Sequence, residues 1–154
     1  MQKVITNIKE LQEFADKFLI KLFGHAHGNH ACVIALSGDL GAGKTAFTKE
    51  VAKLLDITET VTSPTFVIEK IYEIPKKNKF AKHFDHLIHI DAYRLESEHE
   101  LEVLGFRDFL TNPRNLILIE WPEQVPKLIS THAIMITIGH LGETTRHFTI
   151  EFPK

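Results

Sequence analysis

The run Gly38-Asp39-Leu40-Gly41-Ala42-Gly43-Lys44-Thr45 constrains this chain more than any other stretch. It satisfies G-x-x-x-x-G-K-[ST] at every fixed position, the pattern of a loop that cradles phosphates. Successive backbone N–H groups must curl around phosphate oxygens, and glycine supplies the backbone angles and the close approach. A helix starting near Lys44 aims its positive end at the anion. In such a loop the Lys44 side chain reaches the β- and γ-phosphates, and the Thr45 hydroxyl reaches a magnesium ion. With average residue usage, a chance match in a chain this long arises roughly once in two hundred times. The flanks also fit. Ala31-Cys32-Val33-Ile34-Ala35-Leu36 is a continuous apolar run, as in a strand buried on both faces of a parallel sheet. Residues 44–55 carry Phe47, Val51, Leu54 and Leu55 on one helical face.

The remaining elements complete an α/β pattern. Ile8, Leu11, Phe14, Ala15, Phe18, Leu19 and Leu22 have helical spacing, with Thr6 or Asn7 as cap and Gly24 as the stop. Residues 66–74 and 86–91 read as strands, with a Pro75–Lys79 loop between them. Helical pieces follow at about 97–103 and 105–111, then the apolar strand 116–119. Pro122 and Pro126 punctuate the next segment, and strands at about 132–139 and 146–152 join through Gly142 as an antiparallel pair. The expected architecture is a three-layer domain of the P-loop NTPase type, with a mainly parallel central sheet and a late antiparallel strand pair. At 154 residues the chain fits one domain, 1–154.

A phosphate loop needs carboxylates for the metal and for the attacking water. In open α/β sheets ligands bind at the carboxyl ends of strands. Two acids hold that position: Glu120 after Leu116–Ile119, and Asp91 after Leu87–Ile90. Glu120 is assigned to magnesium, with water activation as a second role. Asp91 is assigned to the water shell of the metal or to the nucleophilic water. Thr62-Ser63-Pro64-Thr65-Phe66 offers hydroxyls that could meet the γ-phosphate in the manner of a switch loop, or is an ordinary Ser-Pro turn. Trp121, the single tryptophan, packs in the core or against the ligand.

Other features say less. The formal charge of −2 gives no footprint for strong nucleic-acid binding by itself. Lys76, Lys77, Lys79 and Lys82 form a local basic cluster, read as a solvated loop or as a contact for RNA or an acidic partner. His83, His86, His89 and His99 form no convincing zinc-ligand spacing. The lone cysteine, Cys32, is expected to be buried and inert. No apolar run approaches the ~20 residues that span a bilayer. A cytoplasmic location is expected.

The ordered set Gly38–Thr45, Thr62-Ser63-Pro64-Thr65-Phe66, His89-Ile90-Asp91-Ala92-Tyr93-Arg94-Leu95, Leu104-Gly105-Phe106 and Ile119-Glu120-Trp121-Pro122 resembles the TsaE (YjeE) family of bacterial P-loop ATPases in tRNA threonylcarbamoyladenosine synthesis. The resemblance runs over almost the whole chain. It implies ATP as substrate and Mg2+ as cofactor, with Thr45 and Glu120 ligating the metal and Asp91, also near it, needed for hydrolysis. It implies catalytic roles for Lys44, Asp91 and Glu120. It implies nucleotide contacts from Gly38, Asp39, Gly41, Ala42, Gly43, Lys44, Thr45 and Ala46. Thr65 of the switch-like segment and Trp121 are further implied contacts. The adenine is expected between the segment around Thr6 and the turn at Thr144–Arg146. Ala46 stands where the family often has a threonine, so one hydroxyl is missing while the backbone N–H remains. The implied partners are TsaB and TsaD, with tRNA met indirectly through their complex, and no membrane.

Three other readings compete. A small-molecule P-loop kinase would usually carry an arginine-rich lid, but Arg94, Arg107, Arg114 and Arg146 are scattered. A GTPase would carry Asn-Lys-x-Asp, and Asn78-Lys79 is followed by Phe80-Ala81. A nucleotide-dependent binding module would turn over negligibly. So few arginines predict slow hydrolysis until a partner completes the site.

Overall fold

The structure is a computed structural model, and it describes residues 1–23, 28–63 and 66–153. Seven strands form one sheet in the order β1-β7-β6-β2-β5-β4-β3. They are β1 (Gln2–Ile5), β2 (Cys32–Ser37), β3 (Glu69–Glu73), β4 (His86–Asp91), β5 (Asn115–Glu120), β6 (Ile134–His140) and β7 (Arg146–Glu151). The central four, β6-β2-β5-β4, are parallel. Both flanks are antiparallel: β3 on β4 at one edge, β7 on β6 and β1 on β7 at the other. The parallel centre and the late antiparallel pair were both expected; the antiparallel strands β1 and β3 extend the sheet beyond them.

Alternation along the central strands divides the core into two layers. Cys32, Ile34 and Leu36 of β2 join Leu87, Leu116 and Leu118 in a cluster under α1 (Ile8–Phe23) and α2 (Lys44–Leu54). Val33 and Ala35 join Ile88, Ile90, Ile117 and Ile119 on the opposite face, against Leu101 of α3 (Glu98–Val103) and Phe106 of α4 (Phe106–Thr111). A strand apolar on both faces is what two covering layers demand. The α1–α2 side is aromatic: Phe18 meets Phe47 edge-on at 5.7 Å, and Phe14 meets Phe148 at 5.1 Å. Each such ring contributes roughly 1.5–3 kcal/mol by leaving water, so this layer fixes where α2, and the loop before it, must sit.

Local signals set the ends of the elements. Asn7 caps α1 by accepting from the Glu10 N–H at 3.0 Å, while the Glu10 carboxylate accepts from the Thr6 N–H at 2.7 Å. The stop expected at Gly24 lies outside the described residues. The strand expected over 66–74 starts only at Glu69, because Ile68 adopts φ +67° and Phe66-Val67 form an exposed turn. Cys32 is buried, and that burial pushes its thiol up to about 12. Among the described residues no helix is long and apolar enough to cross a membrane.

Candidate functional site

The glycine loop joins the carboxyl end of β2 to the start of α2. Gly38 lies at φ +150° with its α-carbon against β6: a Cβ there would stand 2.4 Å from the Ile138 carbonyl oxygen. Gly43, at φ +111°, occupies the N-cap of α2, where a left-handed backbone turns the chain into the helix. The Asp39 carbonyl accepts from the Ala42 N–H at 3.0 Å, which closes the loop around its own N–H groups.

The Lys44 side chain is buried. It donates to the Gly38 and Asp39 carbonyls and lies 4.0 Å from the centre of the Trp121 ring. Burial lowers the Lys44 pKa, and the negative charges of Glu120, Glu123, Asp91 and Asp39 oppose that shift. Trp121 holds its place through a left-handed backbone (φ +59°), an N–H donated to the Leu36 carbonyl at 3.2 Å, and the ring of Tyr93 at 4.8 Å. It is half-buried, packing on the core and covering the lysine at once.

The two acids stand side by side. Asp91 and Glu120 are paired across the parallel β4–β5 ladder, and both are buried. Period-two alternation puts them on the α2 side, with Leu87, Leu116 and Leu118. The Thr45 hydroxyl donates to the Glu120 carboxylate, 2.9 and 3.1 Å from its two oxygens. His89, wholly buried two residues before Asp91, lies with Nε2 2.7 Å from Glu120 Oε1. The Ser63 hydroxyl donates to Asp91 Oδ2 at 2.6 Å, and the Tyr93 N–H donates to Oδ1 at 3.0 Å. The structure therefore brings Lys44, Thr45, Asp91, Glu120, Trp121 and Ser63 together. Thr65, with Pro64, lies outside the described residues. Ala46 packs half-buried against the core at the first turn of α2.

Thr6 directly follows Ile5, which is paired with Arg146 across the β1–β7 ladder. The two segments expected at the adenine are thus neighbours at one sheet edge. Arg146 reaches the glycine loop, donating to the Ala42 carbonyl at 3.2 Å and to Gly41 at 3.4 Å. It also donates to the Gly142, Glu143 and Thr145 carbonyls of the β6–β7 turn. The other arginines are engaged elsewhere: Arg94 over the Phe66 ring, Arg107 on Glu102 and Arg114 on Asp85.

Sequence reasoning missed His89, the Arg146 tie and a hydrogen bond from the Ser37 hydroxyl to Glu123. For His89 a signal was present: it stands two residues before Asp91 on a strand, so it shares that residue's face. The sequence places Arg146 only in the turn expected at the adenine, with no sign of its tie to the glycine loop, and nothing in it marks the Ser37–Glu123 bond.

The family model described as "Threonylcarbamoyl adenosine biosynthesis protein TsaE" matches residues 5–148, which include every element of this site. The chain belongs to the TsaE family. It is 38% identical over 115 residues to the tRNA threonylcarbamoyladenosine biosynthesis protein TsaE of Rickettsia prowazekii, covering 74% of this chain and 73% of that one. To the TsaE protein of Haemophilus influenzae it is 34% identical over 133 residues, covering 84% and 76%. The crystal structure of Bacillus subtilis YdiB superposes with a TM-score of 0.71 at 28% identity, covering 100% of this chain and 86% of that one. Family membership agrees with the resemblance drawn from the ordered motifs.

Proposed function

We propose that this chain binds ATP with magnesium, hydrolyses it slowly by itself, and serves tRNA threonylcarbamoyladenosine biosynthesis by acting on a TsaB–TsaD complex. Family membership supports the pathway. The observation that carries the ATPase reading is the Thr45 hydroxyl on Glu120, at the carboxyl end of β5 and one residue past the lysine of a glycine loop.

The donor set suits magnesium. A hydroxyl and a carboxylate are hard oxygen ligands, few in number and close together, which leaves room for waters and phosphate oxygens. Thr45 and Glu120 would hold the ion, with Asp91 beside them. When bound, magnesium supplies charge neutralisation at the phosphate oxygens. The chain's own groups do the rest. Lys44, under Trp121, exchanges its Gly38 and Asp39 carbonyls for the β- and γ-phosphate oxygens. The N–H groups of residues 41–46 bind the phosphate chain at the positive end of α2. Asp91 orients the attacking water and accepts its proton, and Ser63 couples that carboxylate to the segment before β3. Thr6 and Arg146 border the adenine.

Each of the four arginines already has a partner within the chain: Arg94 lies over the Phe66 ring, Arg107 is bound to Glu102, Arg114 to Asp85, and Arg146 to carbonyls, so none is free to serve as a cationic finger without giving up a contact. Slow intrinsic turnover follows, because a cationic finger contributes about 10³–10⁵ to phosphoryl transfer. Phosphate release from ATP is measured with purified chain alone, then with TsaB, TsaD and tRNA added. The expected result is a low basal rate that rises with the partners. A rate unchanged by the partners refutes the role.

A further inference from the structure

The residue that binds Glu120 most closely belongs to neither the glycine loop nor the set of acids. His89 is wholly buried in the middle of β4, opposite Leu118 of β5, with Leu87 and Leu116 on the same face. An imidazole among leucines loses its hydration, so its place there needs a compensating contact. That contact is the 2.7 Å approach of Nε2 to Glu120 Oε1. An ionised carboxylate can only accept, so Nε2 carries the hydrogen and donates it. Nδ1 is buried and has no hydrogen-bond partner among the described residues. All the polar contact of this ring is thus spent on one carboxylate oxygen.

Glu120 has a second donor, the Thr45 hydroxyl. On the nucleotide reading above, on which this inference rests, Thr45 and Glu120 would both hold magnesium, so Thr45 cannot be the sole anchor of Glu120. His89 is fixed in the sheet and keeps its grip. We infer that His89 is a positioning residue for Glu120: its Nε2–H holds the carboxylate in the rotamer that faces Thr45, so that the metal-binding pair is formed before magnesium arrives. A buried group that donates to a ligating carboxylate typically changes metal affinity or activity by about 10- to 100-fold when removed. The phosphate loop is a separate structure, made of backbone N–H groups and Lys44. Loss of the His89 contact is therefore expected to spare nucleotide binding without metal.

The test compares His89→Gln, His89→Leu and the unaltered chain. A glutamine amide can reach the position of Nε2 and donate; leucine fills the space and cannot. Calorimetry measures the affinity for a non-hydrolysable ATP analogue with EDTA and across a magnesium titration, and thermal unfolding records stability. Both variants are expected to bind the analogue in EDTA as the unaltered chain does. H89L is expected to need about 10- to 100-fold more magnesium for the metal-dependent gain in affinity, and H89Q to stay within about threefold. If leucine impairs folding, His89→Asn replaces it: that amide is one bond shorter, falls short of Glu120, and is expected to behave as H89L does. A magnesium response of H89L (or H89N) equal to that of the unaltered chain overturns the inference, as does an equal loss in H89Q. An unaltered chain that gains no affinity from magnesium overturns the underlying nucleotide reading, and the inference with it.

Discussion

Replacing Gly38 by alanine tests whether the glycine loop is held in place by contact with β6. The two glycines Gly38 and Gly41 belong to one motif, yet the structure gives them different surroundings. A Cβ on Gly38 would lie 2.4 Å from the Ile138 carbonyl oxygen and 3.2 Å from the Ala42 Cβ; a Cβ on Gly41 meets nothing within 4 Å. Relaxed carbon-to-carbonyl contacts lie near 3.3 Å, so the loop or β6 must move by about 0.9 Å. Such overpacking costs about 1–3 kcal/mol, and the unfavourable φ at this position adds about 1–3 kcal/mol. Gly41→Ala bears only the left-handed penalty at φ +75°, about 1–2 kcal/mol. Urea unfolding followed by circular dichroism is expected to place G38A about 2–4 kcal/mol below G41A. A displacement near 1 Å at a positioning loop can lower a rate by about 100-fold, so ATP hydrolysis in the presence of partners is expected to fall far more in G38A. Equal stability of the two variants would refute the argument that β6 fixes the loop.

Four further outcomes are expected. Glu120→Ala keeps its nucleotide affinity in calorimetry with EDTA and loses most phosphate release with magnesium; a fully active variant sinks the assignment of Glu120. Arg146→Lys leaves the fold intact by circular dichroism and weakens analogue binding, because a lysine cannot span the Gly41, Ala42 and turn carbonyls at once. Unchanged affinity would show that the tie does not shape the loop. Asn78→Ala removes bonds to the Leu54 carbonyl, the Asp56 carboxylate and the Phe80 N–H, so stability falls by about 2–4 kcal/mol in urea unfolding. The Cys32 thiol ionises at 9.0 when unfolded and at about 12 when folded. That contribution to stability is therefore complete below pH 9 and lost between pH 9 and about 12. From pH 8 to pH 10 the unaltered chain should lose about 1.4 kcal/mol more than Cys32→Ala; identical slopes would contradict the burial.

The central sheet was legible because strands covered on both faces carry apolar side chains at nearly every position, as in Cys32–Leu36 and Leu116–Ile119. The edges were not. Gln2-Lys3-Val4-Ile5 buries only Ile5, and its strand character comes from pairing with β7, a partner almost the whole chain length away. The start of β3 was misjudged because Phe66 and Val67 are apolar yet exposed, and Ile68 adopts a backbone no β-branched residue favours. In the site, Lys44, Thr45, Asp91 and Glu120 could be named from motif and strand end. Their partners could not, because Arg146 meets the loop across a hundred residues of chain, and His89 reads as one histidine among ten until strand parity is applied.

The pairing of Asp91 with Glu120 across the β4–β5 ladder turns the sheet into a ruler. Neighbouring strands sit about 4.8 Å apart because the backbone hydrogen bond has one length. The interval between these two carboxylate stems is thus inherited from the peptide group and cannot drift with loop motion. Only side-chain length remains adjustable, and the two acids differ by one methylene. That methylene lets Glu120 extend to Thr45 while Asp91 stays close to its own strand, near Ser63 and Tyr93. Exchanging Asp for Glu at either position would therefore shift a charge by about one bond length on an otherwise fixed scale, which makes this pair a place where reach can be varied without altering charge.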